Sequence, residues 1–245
     1  MSWMFPRSSG IHAPETREWI LGALYLPVFL FFLNFAIIAY FPALGFPLTE
    51  PRNYFFANLL YMTVNFAVML LIFRRTLWQS LREFEGKMLL SVLIGFGMCY
   101  GANLVLTTAY TVLDIMPENY NQEAVNSLLG GYPLAMTLCT VVLAPLAEEC
   151  LFRGVLFAPL ARRCLPAAYA LSMFLFAGMH VFQFLGSMTA ANTILCLSLY
   201  LPASFSLCWV YQKTGNIWAG IFLHMFINFQ SVLASLLRSL MQAFL

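Results

Sequence analysis

The 245-residue chain is 62% hydrophobic and 9% charged, with a mean hydropathy of +0.81 and a net charge of +2. So little polar surface cannot cover a water-soluble globule, and the few basic residues form no stripe, which excludes nucleic acid as a partner. The lipid bilayer is the expected solvent, and in it every backbone group must be paired within the protein. The apolar runs are too long and do not alternate as barrel strands would. The expected fold is therefore all-α, a polytopic transmembrane helical bundle of roughly seven spans.

In chain order, hydropathy predicts spans over residues 19–41, 54–73, 88–113, 133–160, 166–185, 190–211 and 217–237. The first run follows Arg7 but is long for a signal-peptide core and is followed by no small-x-small cleavage site, so it reads as a retained span. Residues 74–87 interleave charges with Leu77, Trp78, Leu81 and Phe84, a pattern that fits either a helix lying on the membrane surface or a solvated linker. Residues 114–132, acidic and Asn-rich and ending in Gly130 and Gly131, read as the longest remaining loop. Cys99, Cys139, Cys150, Cys164, Cys196 and Cys208 lie in or at the ends of apolar runs without a CxxC pair, and read as small buried hydrophobes. Residues 1–132 then hold spans one to three with no recognised motif. Residues 133–245 hold spans four to seven, and the two parts are expected to form one integrated membrane domain.

Basic loops stay in the cytoplasm. Arg7, Arg17, Arg74, Arg75, Arg82, Lys87, Arg162, Arg163 and Lys213 fall on one side of the expected spans, against Arg52 and Arg238 on the other. The expectation is a multi-pass protein of a prokaryotic plasma membrane with a cytoplasmic N-terminus.

Glu148, Glu149, Arg153, His180 and His224 stand out because an ionisable group inside a span costs at least about 2.5 kcal/mol on insertion scales. Glu149 and Arg153 are at i and i+4, with the glutamate N-terminal, the favourable order for an intrahelical pair. Glu148 points about 100° away and lacks that partner. At about 1.5 Å of rise per residue, Glu148, His180, His224 and Asn228 lie about 18, 21, 10 and 17 Å from the cytoplasmic end, one slab near mid-membrane. His224 and Asn228, at i and i+4, share a face. A carboxylate assisted by an imidazole can activate water while a second imidazole and an amide stabilise an oxyanion. The same Glu148, His180 and His224 could instead hold Zn²⁺ with an open fourth position.

These residues form three short motifs: Glu148-Glu149-Cys150-Leu151-Phe152-Arg153 (EExxxR), Phe176-Ala177-Gly178-Met179-His180 (FxxxH) and His224-Met225-Phe226-Ile227-Asn228 (HxxxN). The third is preceded by Lys213-Thr214-Gly215-Asn216-Ile217-Trp218. Three motifs in this order, on separate spans over about residues 140 to 230, resemble the CPBP family of intramembrane proteases, also called Abi or CAAX proteases. The resemblance implies a water-activating Glu148 with His180 as its partner, and His224 and Asn228 in oxyanion stabilisation or metal binding. Glu149 and Arg153 take supporting positions. It implies a hydrolase, of glutamate type or a metalloprotease with Zn, whose partner is a peptide or membrane-protein substrate. The leading expectation is an endopeptidase that cleaves a peptide or membrane-proximal segment in a cavity reached from the cytoplasmic side. The eukaryotic branch of the family, which trims prenylated CAAX proteins, has one span more than is expected here. Two other classes can carry the same residues: a proton-coupled transporter and a non-catalytic bacteriocin-immunity or scaffold membrane protein.

Overall fold

A computed structural model describes residues 13–243, so Arg7, counted above among the basic residues, lies outside the described part. Seven helices among the described residues are long and apolar enough to cross a membrane. They are α1 (Thr16–Ala43), α2 (Pro51–Ile72), α4 (Lys87–Val112), α6 (Pro133–Ala161), α7 (Leu165–Ser187), α8 (Ala190–Thr214) and α9 (Ile217–Gln242). Two shorter helices complete the set, α3 (Arg74–Arg82) and α5 (Tyr120–Gly131). The all-α fold expected from hydropathy is the fold observed.

Burial is uneven across the spans, and that identifies the central one. Half of the most apolar window of α6 is buried, against 17% for α1 and for α4. One hydrophobic cluster takes residues from all seven spans, including Phe29, Met69, Val92, Phe152, Phe176, Leu207 and Ile221. The motif-free first three spans and the motif-bearing last four thus share a core.

Prolines shape α6. Its turns at Cys139–Leu143 and Cys150–Phe157 are π-helical, each closed by a bond five residues back, Ala144 N–H to the Cys139 carbonyl and Ala158 N–H to the Arg153 carbonyl. In that register the Thr140 carbonyl would next be served by residue 145, which is Pro145 and has no N–H. Pro159 likewise cannot serve the Val155 carbonyl four residues back, and Trp19 Nε1 of α1 donates to it instead at 3.0 Å. Wide turns of this kind are frequent at functional sites because they displace side chains and free carbonyls.

The structure corrects the reading of residues 114–132 as a loop: Tyr120–Gly131 is a helix. Asn119 caps it, its Oδ1 accepting from Gln122 N at 3.1 Å, and Leu128 and Leu129 are buried beneath it. A polar composition hid the two apolar anchors and the cap.

Residues 74–82 are helical and firmly docked. Glu18 of α1, itself buried, accepts from Arg75 N at 3.0 Å, from Thr76 N at 3.3 Å and from the Thr76 hydroxyl, so a carboxylate from another helix caps the start of α3. At the other end, Asn216 Nδ2 donates to the Ser80 carbonyl at 2.6 Å, Ile217 N to Ser80 Oγ at 3.0 Å, and Trp218 Nε1 to the Leu77 carbonyl at 2.7 Å. Gly215, at φ 66°, ends α8 in the left-handed conformation and turns the chain into α9. The stretch 213–218 is thus a docking turn that fixes where α9 begins, and with it the height of His224.

Candidate active site

Glu149 sits at the end of an α-helical stretch of α6, and Arg153 inside the wide turn that follows. Arg153 Nη1 lies 3.1 Å from Glu149 Oε1, with both side chains wholly buried. The guanidinium also donates from Nη2 to the Ser204 carbonyl and hydroxyl of α8, each at 3.2 Å, and lies over the Phe176 ring of α7 at 4.8 Å. A buried guanidinium needs this much company, since an unpaired one would carry its full desolvation cost.

Glu149 Oε1 has a second partner, His224 Nδ1 of α9 at 2.9 Å. The oxygen is shared with a guanidinium and acts as acceptor, so the Nδ1–H of His224 donates to it and the ring's other nitrogen is turned towards Glu148. His224 Nε2 lies 3.7 Å from Glu148 Oε2, an approach beyond hydrogen-bond reach. That Glu148 oxygen is buried and has no hydrogen-bond partner among the described protein groups. Gly220, one turn before His224, makes the approach possible: a Cβ there would stand 3.2 Å from Glu149 Oε2.

His180 is placed differently. Its Nδ1 lies 2.9 Å from the Phe176 carbonyl of its own helix, and because a carbonyl only accepts, Nδ1 carries the proton and Nε2 is left with a lone pair. The ring stacks on Tyr200 of α8, centroids 4.5 Å apart and planes 22° apart. Tyr200 is in turn held by the head of α5: its hydroxyl donates to Asn119 Oδ1 at 3.0 Å and accepts from Asn121 Nδ2 at 3.2 Å. Asn228 Nδ2 donates to the Thr140 carbonyl at 2.8 Å, the carbonyl that Pro145 leaves without a backbone donor.

The structure therefore brings Glu148, Glu149, Arg153 and His224 into one connected group. Glu148, His180 and Asn228 line a common cavity of about 810 Å³. His224 Nε2 lies 3.7 Å from Glu148 Oε2, and His180, which the family resemblance pairs with Glu148, lines the same cavity. Tyr200, Thr140, Pro145 and Gly220 were not anticipated. Of these only Pro145, three residues before Glu148 in an apolar span, carries a signal visible in the sequence.

Among the described residues no three His, Cys, Asp or Glu side chains are grouped so as to hold a metal ion. Glu148, His180 and His224 do not form a three-ligand set in this arrangement. Cys150, beside the paired glutamates, is buried, as are the other cysteines except Cys164, which is exposed.

The cavity walls come from the second half of α1, Leu48 after it, the first half of α2, α5, the first half of α6, the last part of α7, Tyr200 in the first half of α8, and Asn228, Ser231 and Val232 of α9. All of these lie towards the end of the bundle opposite the start of α1. An N-terminus in the cytoplasm and a cavity reached from the cytoplasm are therefore incompatible. The cavity extends to the α5 end, away from the basic loops.

Seven apolar helices with Glu148, His180 and Asn228 on one cavity wall define a class: multi-pass helical membrane proteins that carry polar groups within their spans. Residues 130–230 match the family model described as "Type II CAAX prenyl endopeptidase Rce1-like". A Bacillus subtilis (strain 168) protein named "Putative membrane peptidase YdiL" is 28% identical over 166 residues. The match covers 66% of this chain and 64% of that relative, so the chain spans less than two thirds of the relative's length. No solved structure matches. Residues 130–230 are thus similar to the Rce1-like family, and the chain resembles a protein named as a membrane peptidase.

Proposed function

We propose that the chain is an intramembrane endopeptidase that hydrolyses a peptide or membrane-proximal protein segment, with water activated by Glu148. The observation that carries this reading is the Glu148 Oε2 atom, a buried carboxylate oxygen with no hydrogen-bond partner among the described residues, on the wall of a cavity also lined by His180 and Asn228.

In this mechanism a water held between Glu148 and His180 Nε2 attacks the substrate carbonyl carbon, and its proton passes to the carboxylate. Negative charge then builds on the carbonyl oxygen. The second Nδ2 hydrogen of Asn228 points at that charge, and His224 Nε2 does so when it carries a proton. The proton held by Glu148 goes to the departing amine as the C–N bond breaks. Glu149 and Arg153 do not touch the substrate. Glu149 fixes the orientation of the His224 ring, and Arg153 holds Glu149.

The test compares membrane proteomes of cells expressing wild type and Glu148→Gln, reading peptides for new termini. Termini present only with the wild type support the reading. Identical termini in both would remove it in favour of a transporter or a non-catalytic protein.

A further inference from the structure

The cavity's charge is one-sided. Glu148 is its lining carboxylate, and among the described residues no Lys or Arg lines it. The guanidinium nearest in the fold, Arg153, is wholly buried and committed to Glu149 and Ser204. At the same end of the bundle, Arg52 lies 5.9 Å from the Phe56 ring and Arg238 donates to Ser235 Oγ at 3.4 Å, both outside the lining. The rest of the wall is mostly aliphatic and aromatic, as at Ile37, Phe29 and Phe35, and it carries His180 and amides that include Asn58, Asn121, Gln122 and Gln183.

A carboxylate brought into this space would lose its water, meet no lining Lys or Arg among the described residues and face the Glu148 carboxylate. Amide side chains carry both a donor and an acceptor, the complement of a peptide backbone in the middle of a chain, which offers the same pair at each residue. We propose, resting on the peptidase reading above, that the site takes an internal stretch of polypeptide free of acidic side chains, and excludes a chain's own C-terminal carboxylate from the neighbourhood of the cleaved bond. Cuts then fall well inside the substrate.

The test reads binding and does not need turnover. Ser231 lines the cavity one turn after Asn228, and the full chain carrying Ser231→Cys and Cys164→Ser is placed in nanodiscs. Its maleimide labelling rate is measured against a Cys164→Ser parent. Three probes are added in turn: a nonapeptide of Ala, Leu and Ser with both ends blocked, the same peptide with a central Glu, and a tripeptide with a free carboxylate. The blocked peptide should slow labelling, and the two acidic probes should need at least about tenfold higher concentration for the same protection. Equal protection by either acidic probe would overturn the inference. So would protection by them that disappears in Arg52→Gln/Arg238→Gln, since a rim cation would then be reading a carboxylate. Failure of every probe to protect would also overturn it. A protein protected as expected but inactive with the wild-type Glu148 would leave this inference standing and remove the hydrolytic reading, so the two failures are distinct.

Discussion

At the residue scale, two adjacent glutamates do different work because the helix turns them to different neighbours. Glu149 is a wholly buried link between a guanidinium and an imidazole, and Glu148 ends on the cavity wall. Breaking a buried pair by removing one partner typically costs about 3 to 5 kcal/mol. Arg153→Ala should therefore cut the yield of monodisperse protein in mild detergent and lower its thermal midpoint, whereas Glu148→Gln should change neither. Equal thermal midpoints for the two variants would contradict this division. Gly220→Ala pushes a methyl group towards a carboxylate held from two sides, so it should lower activity at near-normal yield by displacing Glu149 and with it His224. Asn228→Ala removes one oxyanion donor and should lower kcat by about 10²- to 10³-fold. The pairing of Glu149 with Arg153 was legible from i, i+4 spacing alone. That His224 leans on Glu149 was not, because one-dimensional spacing says nothing about which face of α9 meets α6.

At the element scale, Pro145 and the wide turn before it make Asn228 useful. The turn leaves the Thr140 carbonyl without a backbone donor, and the Asn228 amide takes the place. Pro145→Ala restores an N–H that competes for that carbonyl, so it should loosen Asn228 and lower kcat, while helix propensity keeps the fold intact. Unchanged kinetics with α6 still folded by circular dichroism would separate Asn228 from its anchor. Glu18→Gln weakens a charged cap on α3 and should cost about 1 kcal/mol, seen as a lower unfolding midpoint. Spans were legible because about twenty apolar residues in a row have few other uses. The helix at Tyr120–Gly131 was not, since its stability comes from an Asn119 cap and two buried leucines rather than from a periodic apolar face.

At the scale of the whole molecule, the basic loops and the cavity sit at opposite ends. If the positive loops are cytoplasmic, the cavity is reached from outside the cytoplasm, and topology and access can be measured on the same sample. Cysteines placed at Lys213 and at Gln183, in a Cys164→Ser background in intact cells, should differ: the second reacts with an impermeant maleimide and the first does not. The reverse pattern would invert the membrane orientation while leaving the cavity where the fold places it. The central claim, that Glu148 activates water, is tested most directly by initial rates of peptide cleavage by purified wild type and Glu148→Gln in nanodiscs, with metal content measured and chelator present in parallel. The account predicts no turnover by Glu148→Gln, unchanged peptide binding, and wild-type activity that survives chelation. Cleavage by Glu148→Gln at the wild-type rate would contradict it, and activity lost to chelation and restored by Zn²⁺ would make Glu148, His180 and His224 ligands instead.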